Sequence, residues 1–171
     1  MGGEFCQWRE WDEKVSLDWY LLENEGHRQL QHFCRELNRL YLHLPALYSN
    51  DFDWSGFRWI DHSDQDNSVL AFLRLPAVGY EGSEDLEHND SNSAPVPFVF
   101  NFTPVPRRSY LLGLPEADAY HKIFDTDDPW IGGSGFSSQS RITVENHPSH
   151  GFPCRVSLDL PPLAALMLQP G

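Results

Sequence analysis

Apolar residues first recur with a helical period in EGHRQLQHFCRELNRLYLHL, where Leu30, Phe33, Cys34, Leu37, Leu40, Tyr41 and Leu44 stand three and four positions apart. Arg28, Gln31, Arg35, Glu36 and Arg39 occupy the other side. The pattern predicts an amphipathic helix over residues 27–44 whose greasy side lies on a larger body. Pro45 ends it, because the proline ring lacks an amide and clashes with the preceding turn. From Asp51 the period shortens. FRWIDH, SVLAFLR, FVFNFT, YLLGLP, YHKIFDT, ITVENH, RVSLDLP and LAALMLQ read as strands punctuated by proline and glycine. Val156, Leu158 and Leu160 alternate with Arg155, Ser157 and Asp159, as a half-buried antiparallel strand requires.

These periods divide the chain into a helix-and-loop portion, residues 1–50, and an all-β portion, residues 51–171, predicted to be an antiparallel β-sandwich or open barrel. The first portion is too small to bury its own apolar face. Different in character from both is AVGYEGSEDLEHNDSNSAPV, residues 77–96, which has no period and few apolar residues and is expected to be a surface loop.

Charge narrows the partners. Twelve Lys and Arg against 25 Asp and Glu give a net charge of −13, which repels nucleic acid and anionic membrane and leaves neutral ligands such as sugars open. No run approaches a membrane span, and Met1 is followed by Gly2, Gly3 and Glu4 instead of a basic and apolar leader, so a cytoplasmic chain is expected. Three widely spaced cysteines, Cys6, Cys34 and Cys154, fit neither a disulfide framework nor a metal site.

Most candidate chemistry has a plainer explanation. Asp61, Asp64, Asp66 and Asn67 lack the glycine and glutamate of a calcium loop and suit a turn. The eight histidines have no ligand spacing, so neither a metal nor a cofactor is implied. Ile131–Gly135, IGGSG, is too short for a phosphate cradle and reads as a tight turn. Asn101-Phe102-Thr103 has the form of a glycosylation acceptor that a cytoplasmic chain never presents to the transferase. The residue cluster left over is aromatic: Trp8, Trp11 and Trp19, interleaved with charged and amide side chains, combine ring faces with hydrogen-bonding groups as sugar sites do, with core packing as the rival explanation.

GGEFCQWREW, SLDWYLL, NRLY, PALY, DFDWSGFRWID, DNSVLAFLR, NFTPVPR and GGSG, in this order and at these separations, resemble the carboxy-terminal part of bacterial 1,4-alpha-glucan (glycogen) branching enzymes of the alpha-amylase superfamily. The resemblance covers nearly the whole chain outside the acidic loop. It implies a fold that is mainly β, with the antiparallel β domain preceded by the last helical segment of a truncated (β/α)8 barrel, whose eighth strand ends at MGGEF. It implies a retaining transglycosylation that moves alpha-1,4-glucan chains onto glucan 6-hydroxyls.

The family's nucleophile and acid/base lie ahead of the segments matched here, so the resemblance assigns no catalytic residue and implies an inactive chain. A glucan-binding or scaffolding β module is the alternative. Active sites of barrels lie at the carboxy-terminal ends of their strands. By motif position Glu4, Gln7, Trp8, Arg9, Trp11 and Trp19 are therefore the candidate substrate-binding or supporting residues, with alpha-glucan as partner. The apolar face of helix 27–44 is a candidate for self-association. Three departures from the pattern the resemblance implies stand out: Cys6 replaces a small residue, often Gly or Ala, Asp125–Trp130, DTDDPW, replaces the familiar NSD and Tyr, and the loop after Pro76 is longer than usual.

Overall fold

The computed structural model describes residues 1–78 and 94–171. Most of the acidic segment expected to be a loop lies outside the described residues. All eight sequence-predicted strands form: β1 Phe57–Asp61, β2 Val69–Arg74, β3 Val96–Asn101, β4 Arg107–Leu114, β5 Ala119–Asp125, β6 Arg141–Glu145, β7 Cys154–Leu160 and β8 Ala164–Pro170. They make one antiparallel sheet in the order β1-β2-β3-β8-β5-β6-β7-β4.

The alternation read from sequence decides which side chains enter the core. In β7, Cys154, Val156, Leu158 and Leu160 are buried and the residues between them are not. Val69, Ala71 and Leu73 of β2 do the same, and meet Leu112, Leu114, Tyr120, Leu166 and Leu168 in the main core. The sheet curls until its two end strands approach. Arg107 of β4 donates to the Asn67 carbonyl at 3.2 Å, and the Tyr110 hydroxyl donates to Asp64 at 2.8 Å, both in the β1–β2 connection. Asp61 and Asp64 are engaged in that turn, accepting from Ser63 and Asn67 respectively, which is the turn chemistry their sequence suggested.

Helix α1 spans Glu25–His43, and Pro45 opens a short 3-10 turn beyond it. Its apolar side rests on the outer face of the sheet. Phe33 meets Phe124 of β5 with ring centroids 5.6 Å apart, and Leu37 and Leu40 pack near buried Leu44, Ala46, Val96 and Met167. This second layer explains β8, where consecutive Leu166, Met167 and Leu168 are all buried: leucines face the main core and Met167 faces the helix side. The cover is partial, since no α1 residue is fully buried and Tyr41 and Leu42 remain exposed. The face considered for self-association is thus covered in part by the chain's own sheet.

Asn101 is a structural node and no glycosylation acceptor, being 2% exposed. Its amide nitrogen donates to the carbonyls of Val105 and Pro161 at 2.9 and 2.8 Å, while its oxygen accepts from the amide and hydroxyl of Thr103. The residue joins the β3–β4 connection to the β7–β8 turn.

Candidate functional site

The aromatic segment at residues 2–23 is built around two backbone reversals. Gly2 and Cys6 both adopt left-handed conformations, with φ of 87° and 56°, flanking a 3-10 turn at Gly3–Phe5. The Gln7 amide donates to the Gly2 carbonyl at 2.9 Å and closes the loop. Phe5 points inward and is wholly buried; Trp19 stacks on it at 5.1 Å, and His27 Nδ1 lies 2.7 Å from the Phe5 carbonyl, tying the loop to α1.

A polar clasp fixes the adjoining stretch. Arg9 Nε and a terminal guanidinium nitrogen donate to the two oxygens of buried Asp18 at 2.9 and 2.6 Å, a forked geometry that the planar guanidinium is suited to. The hydrogen bond from Arg9 to Asp18 holds the guanidinium further above its usual pKa, so it stays charged. The Asp18 amide in turn donates to Gln7 Oε1 at 2.9 Å. The loop between positions 9 and 18 is thereby held shut.

The six sequence candidates therefore divide. Gln7 and Arg9 converge on Asp18. Trp19 is half-covered by Phe5, and Trp8, 75% exposed, meets only the edge of His27 at 5.4 Å. Glu4 and Trp11 are exposed and make no hydrogen bond, ion pair or ring contact among the described residues. Tyr20 is exposed beside them. Asp18, in sequence one of several acidic residues that read as solvated surface, is the acceptor that orders the segment; its spacing from Arg9 carried no motif.

A second concave surface lies elsewhere, between α1 and β5. The groove has a volume of about 710 Å³, and Leu40 and Phe124 are apolar residues of its lining. Its far wall is the turn Pro129–Ile131, which presents Trp130 at 78% exposure. Two aspartates build that turn. Asp128 accepts from the Trp130 amide at 2.9 Å, and buried Asp127 accepts from the Ser134 amide, the Ser134 hydroxyl and the Phe136 amide. Burial opposes ionisation of Asp127, but these donors outweigh it and hold the carboxyl below its ordinary range. The IGGSG turn read from sequence fits here: Gly132 and Gly135 have φ of 93° and 68°, and a Cβ on Gly133 would stand 2.1 Å from Asp127 backbone atoms.

Among the described residues, no group of three or more His, Cys, Asp or Glu side chains is arranged to hold a metal ion and no helix is long and apolar enough to cross a membrane.

Comparison with known proteins places this arrangement. The chain is 45% identical to the 1,4-alpha-glucan branching enzyme GlgB of Rhodospirillum rubrum, over 99% of this chain and 21% of that protein. It is 43% identical to the enzyme of the same name from Cupriavidus pinatubonensis and 42% identical to that of Hydrogenovibrio crunogenus, again over 99% of this chain and 21% of each relative. The chain thus spans about a fifth to a quarter of the length of the curated relatives it matches. Among solved structures, the trehalulose synthase MutB mutant A258V aligns with a TM-score of 0.45 at 20% identity, over 82% of this chain and 18% of that one. Residues 59–171, the region that holds all but the start of the sheet, match the family described as the alpha amylase C-terminal all-beta domain. Strand pattern, sheet and family match agree, and the chain belongs to the alpha-amylase C-terminal all-beta domain family.

Proposed function

We propose that this chain serves as the C-terminal part of a 1,4-alpha-glucan branching enzyme in glycogen synthesis, docking on a catalytic body and performing no branching chemistry alone. The observation that carries this reading is the ordered segment at residues 7–20. It holds Trp8, Trp11, Trp19 and Tyr20 exposed on a backbone locked by the Arg9–Asp18 clasp. A preorganised aromatic surface of this kind suits burial against a partner, because little freedom is left to lose on docking. The match to branching enzymes along 99% of the chain supports a catalytic barrel of the same lineage as that partner.

Carboxylate chemistry supports the inactivity. Retaining transglycosylation needs a nucleophile and an acid whose pKa is raised by a dry, unpaired site. The buried carboxylates among the described residues are Asp18, Asp125 and Asp127, and each is already saturated: Asp18 by Arg9, Asp125 by Lys122 and the Asp127 amide, and Asp127 by Ser134 and Phe136. In this reading Glu4, Trp8 and Trp11 lie at or beneath a glucan-binding rim, and Gln7, Arg9 and Trp19 support it. Three unpaired thiols suit the reducing cytoplasm.

The test uses amylose and a branching enzyme relative deleted for the region matched here. The chain alone should form no alpha-1,6 linkages detectable by proton NMR, and adding it to the deleted relative should restore branching. Branching by the chain alone refutes the inactivity, and absence of both restoration and association refutes the docking.

A further inference from the structure

The groove between α1 and β5 lies apart from the residue 7–20 segment and is built from different chemistry. We infer that it binds a neutral oligosaccharide, with Trp130 as its stacking platform. Naming that sugar an alpha-1,4-glucan rests on the function proposed above.

Four observations point the same way. Trp130 is the most exposed aromatic in the groove, yet its turn is fixed by the Asp128 cap and the Asp127 carboxylate. A ring that is both exposed and held in place offers a flat apolar face at low ordering cost. Leu40 and Phe124 add apolar surface to the lining. The rim mixes signs: Glu36 and Asp128 accept, and Arg39 donates. Arg39 and Glu36 are 3.9 Å apart, too loose to satisfy one another.

A sugar hydroxyl is donor and acceptor at once, so a rim of mixed polarity suits it. An anionic ligand meets Glu36, Asp128 and a chain of net charge −13, and an apolar peptide leaves the rim charges unpaired. A volume of about 710 Å³ falls within the range of clefts that hold small organic ligands, roughly 300–1,000 Å³.

The full chain, labelled with nitrogen-15, is titrated with maltohexaose and followed through its amide resonances. Shifts should concentrate in residues 32–44 and 123–132. Trp130→Ala should weaken binding about tenfold, and Trp130→Tyr, which keeps a ring, should retain most of it. Both variants should keep wild-type peak dispersion, since the side chain is exposed. Three results overturn the proposal: no shifts, shifts centred on Trp8, Trp19 or Trp59, or equal affinity for Trp130→Ala and wild type. The readout needs no branching activity, so a failed restoration assay leaves this result standing, and a silent titration leaves the docking reading standing.

Discussion

Replacing Asn101 tests how far one buried amide holds the domain together. The side chain makes four hydrogen bonds: two donated to Val105 and Pro161, two accepted from Thr103. Asn101→Ala removes all four. The Val105 carbonyl retains a contact from the Thr103 hydroxyl at 3.3 Å and lies near solvent, so its loss is small. The Pro161 carbonyl is bonded in a buried setting and is left bare, which costs about 1–3 kcal/mol. With roughly 0.5 kcal/mol for each of the better-solvated bonds, the sum is about 3 kcal/mol. A chain of this size then melts about 6–12 °C lower.

Asn101→Asp sharpens the test by adding a sign. One carboxylate oxygen keeps the Thr103 donors, but the other is set against two carbonyl oxygens it cannot donate to, and that repulsion together with burial raises the folded-state pKa above the unfolded value near 3.9. An acid raised in the folded state takes up a proton on folding. The deficit is therefore full at neutral pH and shrinks as pH falls through the raised value, because protonation restores one donor. Urea melts of wild type and both variants at pH 7 and pH 5 measure this. A loss under 1 kcal/mol for Asn101→Ala, or a pH-independent deficit for Asn101→Asp, refutes the reasoning.

Cys6 holds a left-handed φ of 56° on an exposed loop, which costs an L-residue about 1–2 kcal/mol; Cys6→Gly removes that strain, returns part of the gain as chain entropy, and should stabilise by about 0.5–1 kcal/mol in chemical melts. Asp127 has a depressed pKa in the folded state, so its contribution is complete above the unfolded carboxyl range and is lost as pH falls through the folded value. The stability gap between wild type and Asp127→Asn should accordingly narrow on acidification, and a gap unchanged down to pH 3 would contradict the hydrogen-bonding account. Arg9→Ala should raise amide exchange at Asp18, the residue whose carboxylate it grips, while leaving β7 unaffected; unchanged exchange at Asp18 would mean the clasp does not order the segment.

The strands are legible in the sequence because each carries its own period. Val156, Leu158 and Leu160 need only their neighbours in sequence to be assigned to a buried face. Strand order is not legible, since β3 finds β8 across more than 60 positions, as in Asn101 opposite Ala164, and nothing local records that pairing. The helix shows the same division. Leu37 and Leu40 announce an apolar side, but the Phe124 and Met167 surface that receives it is assembled from two strands that read as ordinary core.

At the N-terminal segment, motif position finds Gln7 and Arg9 but does not say that they meet Asp18, because a salt bridge between loop residues has no periodicity. Asn101 is visible in sequence only as a sequon. Its role emerges once Pro161, 60 residues away, is brought alongside. Nothing in the residues around Trp130 marks a groove in sequence, and only the fold sets it at the wall of one.

The position of β8 has a consequence for how the protein is made. It is the last of the eight strands in chain order, yet it lies between β3 and β5, so among the described residues the group β1-β2-β3 and the group β5-β6-β7-β4 are joined by backbone strand pairing only through it. A nascent chain that has emerged as far as Leu160 holds two half-sheets with bare edges at β3 and β5, surfaces that invite pairing with other chains. Closure waits for Ala164–Pro170 to leave the ribosome. A stop codon ahead of Ala164 would not trim this domain at its margin; it would remove the strand that joins its two half-sheets and hand two sticky edges to the cell's proteases.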